Sequence, residues 1–386
     1  MSMPEAQHYF IIALAATILL CGLLGWAVFI LWTKGMRWER YGAAGVSIAG
    51  IAIVCLWLLF YKQLQLEGAR QFWIILWSCS AAGLGWLGMR ALSLQLFPPN
   101  RTSADAGRRA FIEQGVAAAA GVVLAGQVAA YDPADVVVEH HQVEMPHLPR
   151  TADGITIAVL SDIHAGPFIE PRHVEYYVQL IRRRRPDVIL LPGDFITSHA
   201  EEFVPFYKAI RQLQAPYGVL AVLGNHDYFN SSAPLLRQML ESSGVQVLEH
   251  AMIEIEGVQF IGISDYYRHI VHNRGKHQSH QSLLHQLSCA KCPVVMVHRP
   301  FVFDALAELH RQVLVIAGHT HGGQIVASVG SSRWAITQLF SRYTSGWYAS
   351  GSARMYVTRG VGTIGVPLRI GAPPEITVIT LRRAYA

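Results

Sequence analysis

Hydrophobic positions fall into two textures along this chain. In the first third they run on without a polar face. Phe10 to Trp32, Tyr41 to Tyr61 and Phe72 to Phe97 each hold an apolar character for the roughly 20 residues that a membrane-spanning helix needs. Trp26, Trp32, Trp57, Trp73 and Trp77 lie in or at the ends of these runs, where some suit an interfacial belt. A fourth stretch, Gly107 to Tyr131, is weaker, because it is rich in Ala and Gly. Arg108 and Arg109 stand just before its Phe111. That pair resembles a twin-arginine export signal; the same stretch also reads as an ordinary spanning helix. The pattern predicts a membrane domain of three or four transmembrane helices over 1–131.

Past Tyr131 the texture changes. Residues 132–150 carry Pro133, Pro146 and Pro149 and read as a linker. From there to residue 386, short runs rich in Val, Ile and Leu recur, each of strand length. They are "ITIAVLSDIH", "DVILLPGD", "YGVLAVLGNHD", "CPVVMVH" and "QVLVIAGHTHGG". Continuous rather than alternating apolarity suits strands buried on both faces. Helices are predicted between them, over Glu170 to Arg185 and Ser198 to Gln214. Strands alternating with helices imply a layered α/β domain over 151–386.

Composition agrees with the membrane reading. Hydrophobic residues make up 52% of the 386 and charged residues only 15%. The net charge is +5, with a pI near 9.0. Lys34, Arg37 and Arg40 follow the first run, and Arg101, Arg108 and Arg109 precede the fourth. The N-terminus has no Lys or Arg, and the second loop has only Lys62 and Arg70. The positive-inside rule therefore places the first and third loops in the cytoplasm. Four spans put the α/β domain outside the cytoplasm, and three keep it inside. Membrane topology accounts for most of the basic charge, and no separate DNA-binding module is visible, so no nucleic-acid partner is expected. Oligomeric state is not legible. Cys289 and Cys292 form a lone C-x-x-C, open between a disulfide and two packed thiols.

Each of the five strand-like runs ends in polar residues. In order these are Asp162 and His164; Asp194; Asn225, His226 and Asp227; His298; His319 and His321. In α/β sheets, sites form at the carboxyl ends of strands. Carboxylate and amide oxygens mixed with imidazoles suit divalent Mn, Fe or Zn. This number of donors calls for two metals that share one. A carboxylate has lone pairs to bridge with, and Asp194 is central in the set.

That ordered series, D-x-H, G-D, G-N-H-D, H and G-H-x-H, resembles the calcineurin-like metallophosphoesterases of the bacterial membrane-anchored branch. The resemblance runs from about Ile155 to Leu381 and takes in the tail "YVTRGVGTIGVPLRIGAPPEITVITL". It implies a two-sheet αββα sandwich behind the transmembrane helices, and a multi-pass protein of the bacterial inner membrane. It also implies roles. One metal falls to Asp162, His164 and His321, the other to Asn225, His298 and His319, and Asp194 bridges them. His226 donates a proton to the leaving oxygen, oriented by Asp227. Two such metals clamp a phosphoryl group and lower the pKa of a water that then attacks phosphorus in line. The implied activity is hydrolysis of phosphomonoesters or phosphodiesters, with a lipid-linked ester as one candidate. Rival readings are a metal-dependent nuclease and a catalytically silent metal-binding membrane receptor.

Three further stretches stand out. "RRRRPD" at Arg182 to Asp187 reads as cations at a helix C-terminus, or as a contact for anionic lipid. The His-rich stretch from Arg268 to Leu287 reads as a polar loop leading into a helix. Trp334, Phe340, Tyr343, Trp347 and Tyr348 suit either an apolar interface or core packing.

Overall fold

The computed structural model describes residues 131–384, apart from 167, 266–284, 286, 310–311, 330–331, 340 and 366. The four apolar stretches, almost all of the His-rich stretch and Phe340 lie outside the described residues. Among the described residues no helix is long and apolar enough to cross a membrane. The chain divides into two compact units, 1–130 and 131–386, and the second is described below.

Strands are numbered in chain order. The first sheet holds β1 (Val137–Met145), β2 (Thr156–Val159), β3 (Val188–Leu191), β4 (Val219–Ala221), β5 (Val245–Val247) and the last strand, β14 (Glu375–Arg383). Its order is β1-β14-β2-β3-β4-β5. The second sheet holds β6 (Ala251–Ile255), β7 (Val258–Ile263), β8 (Pro293–Val297), β9 (Leu314–Ala317), β12 (Gly346–Ser350) and β13 (Ala353–Val357), in the order β12-β13-β9-β8-β7-β6. β10 (Val326–Val329) and β11 (Ser332–Ala335) form a separate hairpin.

Successive side chains of a strand point to opposite faces, and here both faces are apolar. Ile157 and Val159 of β2 enter a core with Phe260, Val294, Met296 and Ile316 of the second sheet. Ala158 of β2 and Leu160 just after it turn the other way, to a core with Val174, Tyr177, Val178 and Ile181 of helix α1 (Pro171–Arg184). On the far side of the second sheet, Val295, Val315 and Met355 pack with Phe303 and Leu306 of a short helix, α4 (Phe303–Leu309). Helix α2 (Tyr207–Ile210) and helix α3 (Ala233–Ser242) complete the layer beside α1. The result is the expected two-sheet αββα sandwich, and it explains why its strands read as unbroken apolar runs.

Helix α1 shows the local logic. Its buried residues recur at the three- and four-residue spacing of one helix face. Pro171 occupies the first turn, and the Glu170 backbone N–H donates to His173 Nδ1 at 3.0 Å. The helix stops at Arg185, whose φ of 46° is left-handed. Arg182 to Arg185 are exposed, as expected of cations at a helix C-terminus.

Two expectations need correction. The stretch read as a linker, 132–150, contains β1, which pairs in parallel along the whole of β14. Its prolines flank that strand rather than interrupt it, and its mixed polarity reflects an edge strand with one open face. The helix expected over Ser198 to Gln214 is a 3-10 segment, Ala200–Phe206, followed by the single turn α2. Pro205 lies inside it and withholds a backbone donor. Cys289 is exposed, Cys292 is buried, and no disulfide joins them.

Candidate metal centre

The strands β2, β3, β4, β8 and β9 end at one pole of the sandwich, and every predicted donor follows one of those ends. Each chain must turn sharply there to aim a side chain inward. Asp162, His164, Asp194, His319 and His321 all have positive φ, between 47° and 77°. A left-handed backbone costs a non-Gly residue about 1–2 kcal/mol, and such residues gather where function demands them. Cross-strand hydrogen bonds hold the turns in place. Asp162 N–H donates to Gly193 O, and His164 N–H to Asp194 O, each at 3.0 Å. His319 N–H donates to Asp162 Oδ1 at 2.9 Å.

The donors converge in two groups. In the first, His164 Nε2 and His321 Nε2 face each other at 3.1 Å, and His321 Nε2 stands 3.6 Å from Asp162 Oδ1. In the second, His298 Nε2 faces His319 Nδ1 at 3.2 Å. Asp194 Oδ2 lies between the groups, 3.4 Å from His164 Nε2 and 3.1 Å from His298 Nε2. Its other oxygen is occupied, since Oδ1 accepts the His226 backbone N–H at 2.9 Å. One oxygen rather than two therefore looks into both groups. Asn225 Oδ1 is buried without a hydrogen-bond partner, and so is Asp162 Oδ2. Buried polar atoms are ordinarily satisfied. Orphaned oxygens beside paired imidazole nitrogens fit divalent cations, and the donor chemistry fits Mn, Fe or Zn.

Electrostatics reinforce that picture. Burial pushes His164 and His319 down to about 3, and His321 well below the usual imidazole range, so all three are neutral. Burial alone would also lower His298, but the Asp194 carboxylate against it carries it up to about 10. Burial would raise Asp194, yet His298 and His164 hold it well below the carboxylate range. Burial raises Asp162 to about 6. Three neutral imidazoles and a charged Asp194 are already in the ligand states a cation requires, and His298 would give up its proton to one. The His298 Nδ1–H donates to Pro192 O at 2.8 Å, which turns Nε2 to the site, where a cation would take the place of its proton.

Glycine is required at Gly224, where a Cβ would land on Asp194 Oδ1 and within 2.8 Å of His298 Nδ1. Gly318 is similar, with Asp162 Oδ2 and Ser161 Oγ in the way.

His226 lies beside the cluster. Its ring is 4.7 Å from that of His164, edge to face, and it shares a donor group with His164 and Asp194. Asp227 does not orient it. The Asp227 carboxylate accepts backbone N–H groups of Gly224, Asp194, Phe195 and Ile196 at 2.8–3.3 Å. It ties the β3 turn to the β4 turn. Burial and then Asp194 push it up to about 8, against the pull of those N–H groups. His226 Nδ1–H donates instead to Thr197 O at 2.6 Å. Glu202, itself buried, braces that loop by accepting Thr197 N–H and Ser198 N–H at 2.8 Å each. Neither Thr197 nor Glu202 carried a sequence signal, because both act through the backbone of a loop. Arg369 was missed as well. Buried, it donates to the carbonyls of Gly362, His321, Ala372 and Arg359 and braces the turn that carries His321.

Comparison with known proteins follows the same residues. Residues 155–323 match the family of calcineurin-like phosphoesterases. A Helicobacter pylori protein described as an uncharacterised metallophosphoesterase is 28% identical over 240 residues, 61% of this chain and 62% of its own length. A Bacillus subtilis protein described in the same words is 29% identical over 281 residues, 69% of this chain and 94% of its own. A Danio rerio transmembrane protein with a metallophosphoesterase domain is 27% identical over 270 residues, 67% of this chain and 60% of its own. The chain thus spans less than two thirds of the Helicobacter and Danio relatives. The family match covers the strand ends that carry the donors, from Asp162 to His321, so residues 155–323 form a domain similar to the calcineurin-like phosphoesterases.

Proposed function

We propose that this chain is a membrane-anchored phosphoesterase that works with two divalent metal ions. The observation that carries the proposal is the place of Asp194 Oδ2 between two groups of imidazoles. Asp162, His164 and His321 would hold one ion; Asn225, His298 and His319 would hold the other; Asp194 would serve both. When bound, such a pair clamps phosphoryl oxygens and supplies hydroxide near neutral pH.

The chain's own groups do the rest. Thr197 O accepts from His226 Nδ1, so Nε2 is the ring atom left for the substrate. In its protonated form His226 offers Nε2–H to the leaving oxygen, and its charge stabilises the phosphoryl oxygens. His226 is half-buried at the edge of the donor cluster, within reach of an ester seated there. The full set of donors also argues against a silent receptor.

The apolar runs before Tyr131 support the membrane anchor, as does a relative whose name includes "transmembrane". With four spans the domain faces the periplasm or cell exterior; with three it faces the cytoplasm. A membrane anchor favours an envelope or lipid-linked phosphoester over a nucleic acid. The test is turnover of a water-soluble aryl phosphodiester by the full chain, with His226→Gln as the variant. His226→Gln should lower kcat by about 10²–10⁴ while metal content stays unchanged. Full activity in that variant would remove His226 from the mechanism.

A further inference from the structure

We infer that the rim around the donor cluster is a lipid-docking face, which presents the site to a phosphoester held in a bilayer. The inference rests on the phosphoesterase reading above and names where its substrate resides.

Large apolar side chains stand exposed on the loops that follow the donors. Phe229, 45% exposed, is three residues past His226 and lies 4.6 Å from its ring. Phe301, 48% exposed, is three past His298. Ile325, 36% exposed, is four past His321. Trp334, 67% exposed, is carried by the β10–β11 hairpin, which closes over Gly323 so tightly that a Cβ there would strike Ala335. Ile364, 38% exposed, is tied to the same turn, because Gln324 both donates to Ile364 O and accepts its N–H. Of the ten exposed large apolar residues among the described residues, these five follow donor turns or are tied to one, and exposed apolar side chains that gather mark an interaction surface. Aromatic and aliphatic tips on loops suit insertion at the level of lipid headgroups.

The opposite pole has the other character. A cleft there is lined by His147, Arg150, Lys291 and Arg383, and Arg182 to Arg185 end α1 at the same level. These charged side chains thus lie at the pole away from the donors.

The path of the chain selects a bilayer as the occupant. Val137, the first residue of β1, pairs with Glu375, and β14 runs antiparallel to β2, so β1 begins at the pole where β2 ends. Tyr177 Oη–H donates to Pro133 O at 2.8 Å and fixes the entry. The described chain thus enters the domain at the pole that bears the rim, and the three long apolar runs precede that entry in sequence.

The test uses the full chain in lipid nanodiscs whose acyl chains carry bromine. Trp334→Phe isolates one tryptophan among nine. Bromolipid should quench a fluorescence component that the variant lacks, and aqueous iodide should not. Quenching of that component by iodide alone would overturn the inference, because the rim would then face water. Shielding from both quenchers would overturn it too, by giving the rim to a protein contact. A kinetic arm uses Trp334→Ser with Phe301→Ser. Turnover of the soluble aryl ester should stay within twofold, while turnover of a phosphoester lipid in the nanodisc falls at least tenfold. Equal loss on both substrates would also contradict the inference. If the wild-type chain turns over neither ester, the phosphoesterase reading fails, while the quenching result still judges the rim.

Discussion

Asp227 shows how far residue identity reaches and where it stops. Next to His226 in sequence, it reads as the partner of that imidazole. On the turn after β4 the two side chains part, and Asp227 spends its oxygens on four backbone N–H groups. The two readings predict different losses. An orienting carboxylate, when removed, lowers kcat in a normally stable protein. A backbone staple, when removed, strands buried donors at about 1–3 kcal/mol each. Asp227→Ala should therefore lower the midpoint of urea unfolding well before any kinetic effect is resolved. A native midpoint with reduced kcat would restore the orienting role. The donor residues themselves were legible, because each needed only a polar side chain at the end of an apolar run. Their left-handed backbones were not legible, since Asp and His give no sign that they will adopt a positive φ. The role of Asn225 was legible only through the family resemblance; the structure adds its orphaned, buried Oδ1.

Among the elements, the five strands that lead to donors could be read from their apolar runs, and the edge strand β1 could not. β2, β3, β8 and β9 lie inside the sandwich and are apolar on both faces. β1 is an edge strand, and Glu139, His140, His141, Gln142 and Glu144 disguise it as a linker. It still covers β14 over nine residue pairs. Glu139 also pairs with Arg359, and Tyr356 donates to Glu375 at 2.6 Å beneath. An uncovered β14 would be a bare edge open to aggregation. Deletion of residues 136–146 from the full chain, with a flexible bridge in their place, should yield aggregated protein. Monodisperse, active material from that deletion would show β1 to be dispensable. The helix expected over 198–214 failed for a related reason. Its apolar spacing was adequate, but Pro205 and the demands of the Glu202 brace broke it into a 3-10 segment and one turn.

For the whole molecule, the sandwich places one polar, donor-rich pole and its apolar rim at the end where the chain enters. The two-sheet architecture was implied by the order of motifs rather than by hydrophobic periodicity, which cannot say how strands partition between sheets. Membrane topology remains a reading of sequence, and it has its own test. With four spans, protease added to spheroplasts should remove a C-terminal epitope placed after Ala386, while a cytoplasmic marker survives. Protection of the epitope until detergent is added would mean three spans and a cytoplasmic site.

The central claim is that one carboxylate oxygen, Asp194 Oδ2, serves two cations. Metal content of the purified full chain, by elemental analysis, tests it most directly. The account predicts two divalent ions per chain in the wild type. It predicts about one in Asn225→Ala, and loss of both, together with activity on the aryl ester, in Asp194→Ala. One ion or fewer in a fully active wild-type protein would contradict it.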